Sequence, residues 1–551
     1  MSLRLVGLLA VVAAAIAITG ESGSIGAVPV PTADLSRSAL PLARTVPATV
    51  CPGPETLATP AGADPVQPGA PVLLRALLVG SGSSSAVLAR MLPIGGAPAE
   101  RIPLVPRTGT AAIFAGTLRQ AGPIGLQADA GAGAPPQFSL TQSTLVGAGD
   151  LRGLVVSECG EATSDRWLVG GGTSAGRRGR LLLANPTSSP AVVDVVVYGP
   201  AGPVSSPAGQ AVLVPPGGQT ALLLDALAPG LTSTAVHVTT RSGRVVSLLH
   251  DSLLRGLVGG GVDDVAAASA PATVAIIPGV SVQAPAANGE PVAPGEPAAP
   301  GDLVAPGDPA LPGATAVRVV VPGPDEAIVR VSLLGSGGSV DLGSAGVRTV
   351  PAGTVVDIGV IGVPDGTYAA KVEADVPVVA GVIVGRATAG SLTAGTDQDP
   401  LGKAAPAEFG WAAAVPAMAG GRLVSLPLQA TAAPARPGIK VAEPAVRASL
   451  SLTSTGGLCV VRVTELDAAG RPGPAVTVQV PADSTRTVQV AATAAGLLVD
   501  PGSATGVRAA VVLTTRDPRS PMISVLPLLP VGASPGVTPV AVADPGLGVL
   551  P

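Results

Sequence analysis

The residues that most resemble catalytic machinery surround Ser174. Gly172-Thr173-Ser174-Ala175-Gly176 matches the Gly-x-Ser-x-Gly pattern, in which a strand–turn–helix connection exposes a serine nucleophile. The residues that could complete a triad follow in the chain: Asp225, His237, His250 and Asp251. The pattern recurs at residues 532–536, however, and no helical period follows Ser174. We therefore predict a glycine-rich β-turn and no enzyme, with a serine hydrolase at Ser174 as the alternative.

Three arginines follow the same glycines, and this combination of glycines and basic residues partly resembles a phosphate-binding loop. They are Arg177, Arg178 and Arg180. The Gly-Lys-Ser/Thr ending of such a loop is missing, so the simpler prediction is a solvated turn. The alternative is a basic hairpin that binds an anionic polymer of the cell envelope.

Two acidic clusters, Asp263-Asp264 and Asp397-Gln398-Asp399, lie between predicted folding units. Hard cations need several carboxylate oxygens at once, as in the Ca²⁺ sites between tandem extracellular sandwiches. Few carboxylates are close in sequence here and the EF-hand spacing is absent, so we predict exposed acidic turns. Ca²⁺ binding by Asp263, Asp264, Asp397 and Asp399 is the alternative. With two histidines and no zinc-type cysteine spacing, no metal or cofactor is predicted.

The two tryptophans, Trp167 and Trp411, are candidates for sugar-stacking platforms. Both lie in apolar context, each at the start of a predicted unit. Core packing is therefore the preferred interpretation, and an envelope glycan-binding protein is the alternative.

Three cysteines bear on the compartment. Cys51 and Cys159 flank the first predicted unit and could form a disulfide in an oxidising space. Cys459 lies in an apolar strand and is predicted to be a buried free thiol. Three unpaired structural cysteines remain the alternative.

The composition excludes several classes of protein. The 551 residues include 73 Gly and 59 Pro but only two Trp, two Tyr and three Phe, and 47% are hydrophobic. Disordered chains combine few apolar residues with high net charge, so a folded protein is predicted. The formal net charge of −4 provides no basic surface for nucleic acid.

The N-terminus carries the targeting signal. Arg4 precedes an apolar stretch over residues 5–18, which would span about 21 Å as a helix, short of the ~30 Å hydrocarbon core. This length is typical of a secretory signal peptide, which we place at residues 1–27. An uncleaved anchor is the alternative, and only this segment is expected to contact the membrane.

A short element recurs four times: Val-Pro, a small turn, then an apolar strand. The copies begin at Val105, Val214, Val350 and Val480, so that they are 109, 136 and 130 residues apart. Units close with two apolar runs separated by a turn, for example at Val376-Pro377. The longer spacings contain visible insertions, which leaves an underlying period near 110 residues.

Within each period the apolar runs are four to eight residues long and bounded by Gly, Pro and Ser. This pattern is typical of all-β sandwiches. We predict about four tandem immunoglobulin-like units after the N-terminal signal or anchor helix. The predicted boundaries are 28–50 for a linker, 51–160, 165–270, 272–398 and 408–530 for the sandwiches, and 531–551 for a flexible tail. The third unit carries a low-complexity Pro/Gly insert at 283–313.

Three segments resemble those of a known family: the signal segment, the stretch Cys51-Pro52-Gly53-Pro54-Glu55, and the segment from Trp167 to Asn185-Pro186. Together they resemble a family of uncharacterised exported or membrane-anchored proteins of high-GC Gram-positive bacteria. The resemblance implies export and tandem sandwiches, and it brings no activity or binding residue with it.

These observations favour a non-catalytic protein of the cell envelope, secreted or anchored outside the plasma membrane. An array of β-sandwiches would serve as a scaffold, an adhesive surface or a binding surface for an envelope protein or polymer. With so few aromatic side chains, we expect binding through backbone edges, arginines or broad shape.

Overall fold

The structure is a computed structural model. The residues that it describes are 44–45, 49–51, 53, 72–79, 89–93, 100–102, 109–118, 123–130, 137–255, 258–283, 313–387, 407–428, 446–517 and 520–529. The described residues from Thr45 onwards belong to one compact unit, and of the other unit only Arg44 is described. The predicted signal segment, most of the linker and of the Pro/Gly insert, Asp397, Asp399 and the C-terminal tail lie outside the described residues. Among the described residues, no helix has the length and apolarity needed to cross a membrane.

The first half of the chain forms strands β1 to β20. The strands up to residue 161 are β1 (Arg44–Thr45), β2 (Thr49–Cys51), β3 (Val72–Val79), β4 (Ala89–Pro93), β5 (Glu100–Ile102), β6 (Ala112–Leu118), β7 (Ile124–Ala130), β8 (Gln137–Val146), β9 (Gly153–Glu158) and β10 (Gly160–Glu161). The next ten are β11 (Asp165–Val169), β12 (Arg177–Ala184), β13 (Ala191–Gly199), β14 (Gly202–Val204), β15 (Val212–Val214), β16 (Gln219–Leu223), β17 (Ala235–Ser242), β18 (Val246–Arg255), β19 (Val258–Val265) and β20 (Ala267–Ala268).

The second half forms strands β21 to β36. The first eight are β21 (Ala272–Val282), β22 (Ala316–Val320), β23 (Ala327–Gly335), β24 (Gly338–Asp341), β25 (Val347–Val350), β26 (Val355–Gly359), β27 (Gly366–Ala387) and β28 (Ala407–Ala413). The last eight are β29 (Arg422–Ser425), β30 (Val446–Ser454), β31 (Cys459–Leu466), β32 (Val476–Val480), β33 (Ser484–Gln489), β34 (Gly496–Asp500), β35 (Val507–Thr515) and β36 (Ile523–Pro527). The helices of the described residues are single turns: α1 (Leu224–Leu227) and 3₁₀ turns at Pro207–Gly209 and Gly343–Gly346.

The prediction of an all-β protein is confirmed. Strand β13 shows why: its residues alternate between buried and half-buried along Ala191–Gly199, the period of two that places successive side chains on opposite faces of a sheet. Valine predominates in this strand, and β-branched residues pack well on a pleated surface.

One strand order recurs in four places. The four sheets that share it, here called the junction sheets, are β6-β3-β8-β9, β16-β12-β18-β19, β26-β22-β27-β28 and β33-β30-β35-β36. The third belongs to a larger eight-stranded sheet, because β27 continues into a second set of pairings. The Val-Pro elements at Val214, Val350 and Val480 each lead into the first strand of a junction sheet in this order. The copy at Val105 lies outside the described residues.

A second layer faces each junction sheet. These outer layers run β10-β2-β7-β4-β5, β20-β11-β17-β13-β14, β21-β27-β23-β24 and β29-β34-β31-β32. Apolar cores, mostly Val, Leu, Ile and Ala, lie between the two layers of each pair.

The predicted turn at Val376-Pro377 is wrong. Strand β27 runs without interruption from Gly366 to Ala387. Its first part pairs with β23 as far as Ala374, and its second part pairs with β22 from Val379 onwards. Pro377 lies in the transition between the two sets of partners, where its lack of a backbone N–H breaks neither ladder.

The sheet pairs contact one another in a closed ring. Strand β10 packs on β18, β11 on β22 and β27, β21 on β30 and β35, and β29 returns to β3 and β8. The closing contact has an apolar and a polar part. Leu77 packs in one buried cluster with Leu423 and Leu466. The Thr141 and Ser425 hydroxyls are 2.8 Å apart, and Arg75 Nη1 donates to the Leu426 carbonyl at 2.9 Å. The last sheet pair therefore binds the first.

The last strand of every junction sheet faces the centre of this ring. We call β9, β19, β28 and β36 the central strands; each is an edge of its sheet, and they pack in the cyclic order β9, β19, β28, β36 and back to β9. Glycines permit this approach. A Cβ on Gly153 would lie 2.5 Å from Val262 Cγ1, and one on Gly261 would lie 2.7 Å from Glu408 Oε1.

Candidate functional site

A group of buried polar side chains lies where the central strands meet. We call it the polar junction, and its members are Arg152, Ser157, Arg177, His250, Asp251, Asp263, Asp264, Glu408, Trp411 and Ser524. Edge strands carry backbone N–H and C=O groups without a strand partner, and such groups must be satisfied when buried. The side chains of the junction meet this need.

Asp263, on β19, takes the place of a strand partner for β28. Its carboxylate accepts the backbone N–H of Trp411 at 2.7 Å and the hydroxyl of Ser524, on β36, at 3.0 Å. Asp263 is 1% exposed. One side chain thereby joins three of the four central strands.

Ser524 connects β36 to the fourth central strand, β9. Its Oγ accepts the backbone N–H of Val156 at 3.0 Å and lies 3.3 Å from the Val156 carbonyl oxygen. These contacts occur at the buried, unpaired edge of β9, where no further strand pairs.

Glu408, on β28, acts in the opposite direction. Its Oε1 accepts the backbone N–H of Val262, on β19, at 2.9 Å. The Arg152 guanidinium lies 3.6 Å from Glu408 Oε2 and donates to the carbonyls of Ala407 and Pro521. Asp263 and Glu408 thus bind β19 and β28 to each other reciprocally.

Asp264 occupies the position between a serine and a histidine. Ser157 Oγ donates to Asp264 Oδ2 at 2.7 Å, and His250 Nδ1 lies 2.8 Å from Asp264 Oδ1. A hydrolytic triad requires histidine in the middle, where it can take the serine proton. With aspartate in the middle, this cluster positions strands instead of activating a nucleophile.

Arg177 and Asp251 form a buried ion pair beneath Trp411. The arginine donates through Nε and Nη2 to the Asp251 carboxylate, with Nη2 to Oδ2 at 2.6 Å, and Trp411 Nε1 donates to the same oxygen at 2.9 Å. The guanidinium carbons of Arg177 and Arg318 lie 5.6 Å and 4.9 Å from the Trp411 ring centre. These contacts satisfy the cation–π criterion and leave the ring buried.

Burial dominates the electrostatics of the two bridging carboxyls. Desolvation raises the pKa of Asp263 well above its ordinary value, against the opposing effect of the Trp411 N–H bond, and the neighbouring Asp264 raises it further. Desolvation also raises the pKa of Glu408 well above its ordinary value, opposed by the Val262 N–H bond and by Arg152.

The structure corrects the prediction of a solvated arginine turn and of exposed acidic turns. Arg177 and Arg180 are 8% exposed, and of the three arginines only Arg178 faces outwards. Asp263 and Asp264 lie within β19 instead of in a turn. The residues that neighbour Asp263 and Asp264 in the sequence do not indicate that β19 would contact β9, β18 and β28. Among the described residues, no three His, Cys, Asp or Glu side chains converge as metal ligands would.

Ser174 lies in a turn that leads directly into strand β12. A strand follows the serine where the nucleophile-elbow pattern requires a helix. The two histidines lie on different sheets: His250 is on β18, beside Asp264, and His237 is on β17, stacked on Trp167 with ring centres 4.0 Å apart. Trp167 and Trp411 are 4% and 1% exposed, so that neither ring offers a platform for sugars.

The structure joins Cys51 to Cys159 in a disulfide, the pairing considered from the sequence, and Cys459 is free and buried. Other members of the site escaped sequence reasoning altogether. Glu408 and Ser524 are isolated polar residues in apolar strands, and that isolation was the one available signal for them, whereas Arg152 directly precedes β9.

Arg318 was also missed. It is fully buried on β22, pairs with Asp357 through Nε at 2.7 Å, and donates to the carbonyls of Gly171 and Thr234 in the preceding sheet pair. A charged residue in the middle of the run Ala316–Val320 therefore marks a contact between sheet pairs.

Comparison with known proteins adds a family but no activity. Neither the curated proteins nor the solved structures yield a match. A family model does match, over residues 114–491, which includes most of the polar junction and leaves Cys51 and the N-terminal segment outside. The chain therefore belongs to a family of unknown function, DUF5719.

Proposed function

We propose that this protein is a non-catalytic scaffold or binding protein of the cell envelope, exported by its N-terminal segment. The observation that carries the proposal is that charged side chains of the polar junction bind other parts of the chain. They are Arg177, Asp251, Asp263 and Glu408. A rigid, closed assembly suits display of an outer surface.

The disulfide between Cys51 and Cys159 supports the exported location, because such bonds persist in oxidising compartments. The recurring junction-sheet order supports an origin from four immunoglobulin-like units, as proposed from the repeat. The buried positions of Trp167 and Trp411 weigh against the glycan-binding alternative.

The compartment can be tested with the full chain in an exporting host. Cell fractions are treated with a thiol-alkylating reagent before and after reduction, and the mature N-terminus is sequenced by mass spectrometry. We expect Cys51 and Cys159 to be modified only after reduction, in the exported fraction. Modification of both without reduction, in protein that stays in the cytoplasm, would contradict the proposal.

The absence of catalysis is tested separately with a fluorophosphonate probe on the purified protein. We expect no labelling above the level of the Ser174→Ala variant. Labelling of Ser174 that disappears in Ser174→Ala and in His250→Ala would establish the hydrolase instead. Crosslinking in intact cells, read by mass spectrometry, then identifies the envelope component that the scaffold contacts.

A further inference from the structure

A cavity of about 360 Å³ lies beside the polar junction, between the first, second and fourth sheet pairs. Its volume falls within the range of small-molecule sites, roughly 300–1,000 Å³. The apolar part of its wall includes Phe138, Leu140, Leu182, Leu248 and Leu526.

Each charged side chain of the wall has a partner within the protein. Asp264 accepts from the Ser157 hydroxyl at 2.7 Å and lies 2.8 Å from His250 Nδ1. Glu158 pairs with Arg422, and Glu161 lies beside Arg166, whose Nη2 is 3.4 Å from the Glu161 carbonyl oxygen. Burial raises the pKa of Glu158 and of Glu161, and the neighbouring arginine Arg422 opposes this in both cases. A charged ligand would therefore meet no unbalanced counter-charge, and its own desolvation would weaken binding.

Three buried polar atoms of the wall have no hydrogen-bond partner among the described residues. They are the Gln219 Oε1 acceptor, the Ser247 hydroxyl and the Arg422 Nε–H donor. Gln219 lies opposite Ala184 in the β12–β16 ladder, so its side chain projects from the same face as Ala184, and both residues line the cavity. A buried polar group without a partner costs about 1–3 kcal/mol, so a ligand that satisfies it gains affinity.

We propose that this cavity binds a small uncharged molecule with an apolar body and a head that both donates and accepts hydrogen bonds, such as a carboxamide. The head donates to Gln219 Oε1, its acceptor oxygen is available to Arg422 Nε–H, and the apolar body lies against Leu182 and Leu248. The inference does not depend on the scaffold function or on export.

Three probes with one apolar body test the ligand class: hexanamide, hexanoate and hexylamine. Binding to the full chain is measured by saturation-transfer NMR titration. We expect hexanamide to bind with millimolar affinity, on the order expected for so few atoms, and at least about tenfold more tightly than either charged probe. No binding by hexanamide, or tighter binding by a charged probe, overturns the proposal.

Two variants locate the site. Gln219→Leu keeps the shape and removes the acceptor, and Leu182→Trp fills the cavity from a half-buried position. We expect a roughly tenfold loss of hexanamide affinity in the first and complete loss in the second, with thermal stability and circular dichroism confirming the fold. If Leu182→Trp does not fold, Gln219→Leu decides the question alone. Unchanged affinity in folded Gln219→Leu places the bound probe elsewhere and refutes the site.

Discussion

At the scale of single residues, the protein uses carboxylates and a serine where most β-proteins use backbone pairing. Asp263 and Glu408 accept N–H groups of facing edges, and Ser524 contacts both backbone groups of Val156. Buried polar residues that are fully hydrogen-bonded fix a unique arrangement, whereas removal of one partner exposes the desolvation cost of the other.

The serine offers the cleanest test at this scale. We expect Ser524→Ala to lower the free energy of unfolding by about 1–3 kcal/mol, because Val156 N–H and the Asp263 carboxylate both lose a buried partner. Urea unfolding measures the change. The exposed Ser188→Ala is the matched control and should change stability by less than about 0.5 kcal/mol. Equal effects of the two substitutions would contradict the assigned role.

The pH dependence of stability follows from the raised pKa values of Asp263 and Glu408. The unfolded chain loses these protons near the ordinary values of 3.8 and 4.5, while the folded protein retains them to higher pH. Folded stability contributed by these groups therefore falls as pH rises above those values, by up to ~1.4 kcal/mol per pH unit for each group.

We expect Glu408→Gln to flatten this decline, since glutamine has no proton to lose. Urea unfolding of both proteins across a pH series gives the slopes, with the exposed Asp325→Asn as a control that leaves the slope unchanged. A slope in Glu408→Gln equal to that of the natural protein would show that Glu408 does not titrate as described.

At the scale of elements, the central strands depend on glycines whose role is steric. Gly153 on β9 faces Val262 and Glu408 so closely that a methyl group has no room. The sequence predicted β-strands in general, because strand lengths and β-branched residues are local properties, but it placed Asp263 and Asp264 of β19 in a turn. It could not predict that four edges would meet, because residues that join them, such as Val156 and Ser524, are 368 positions apart.

A substitution at this point tests the close approach. Gly153→Ala is expected to destabilise the protein by about 1–3 kcal/mol through overpacking. Gly337, around which a Cβ would meet nothing within 4 Å, provides the matched control as Gly337→Ala. Thermal unfolding compares the two. Equal unfolding midpoints of the two variants would show that a methyl group fits at Gly153, against the close contact with Val262.

At the scale of the whole molecule, the chain closes a ring in which each sheet pair contacts the next. The repeat near 110 residues predicted comparable segments, but a repeat cannot indicate whether its copies extend or close on themselves. The closure combines the apolar cluster around Leu77 with polar contacts such as Thr141–Ser425 and Arg75–Leu426, and no local sequence pattern distinguishes these residues. Cys459 and the tryptophans were easier to place, because apolar context alone indicates burial.

The disulfide is a covalent link within the first sheet pair, between β2 and the residue that follows β9. Cys51 and Cys159 are 108 residues apart, and a loop of that length is expected to contribute about 4–5 kcal/mol through the entropy of the unfolded chain. The Cys51→Ser/Cys159→Ser double variant should lose roughly this much free energy of unfolding, as measured by urea unfolding. Cys459→Ser breaks no disulfide and should lose less. A loss below about 1 kcal/mol would contradict a persistent bond.

The central claim is that the polar junction holds all four central strands together, and hydrogen–deuterium exchange of Asp263→Ala tests it most directly. Asp263 lies on β19, so loss of its carboxylate alone should disturb β19 locally. If the junction joins all four strands, backbone amides of β28, β36 and β9 will also exchange faster, beginning with the backbone N–H of Trp411. The control Asp325→Ala should leave these exchange rates unchanged. Faster exchange confined to β19, with the other three central strands unaffected, would contradict the account.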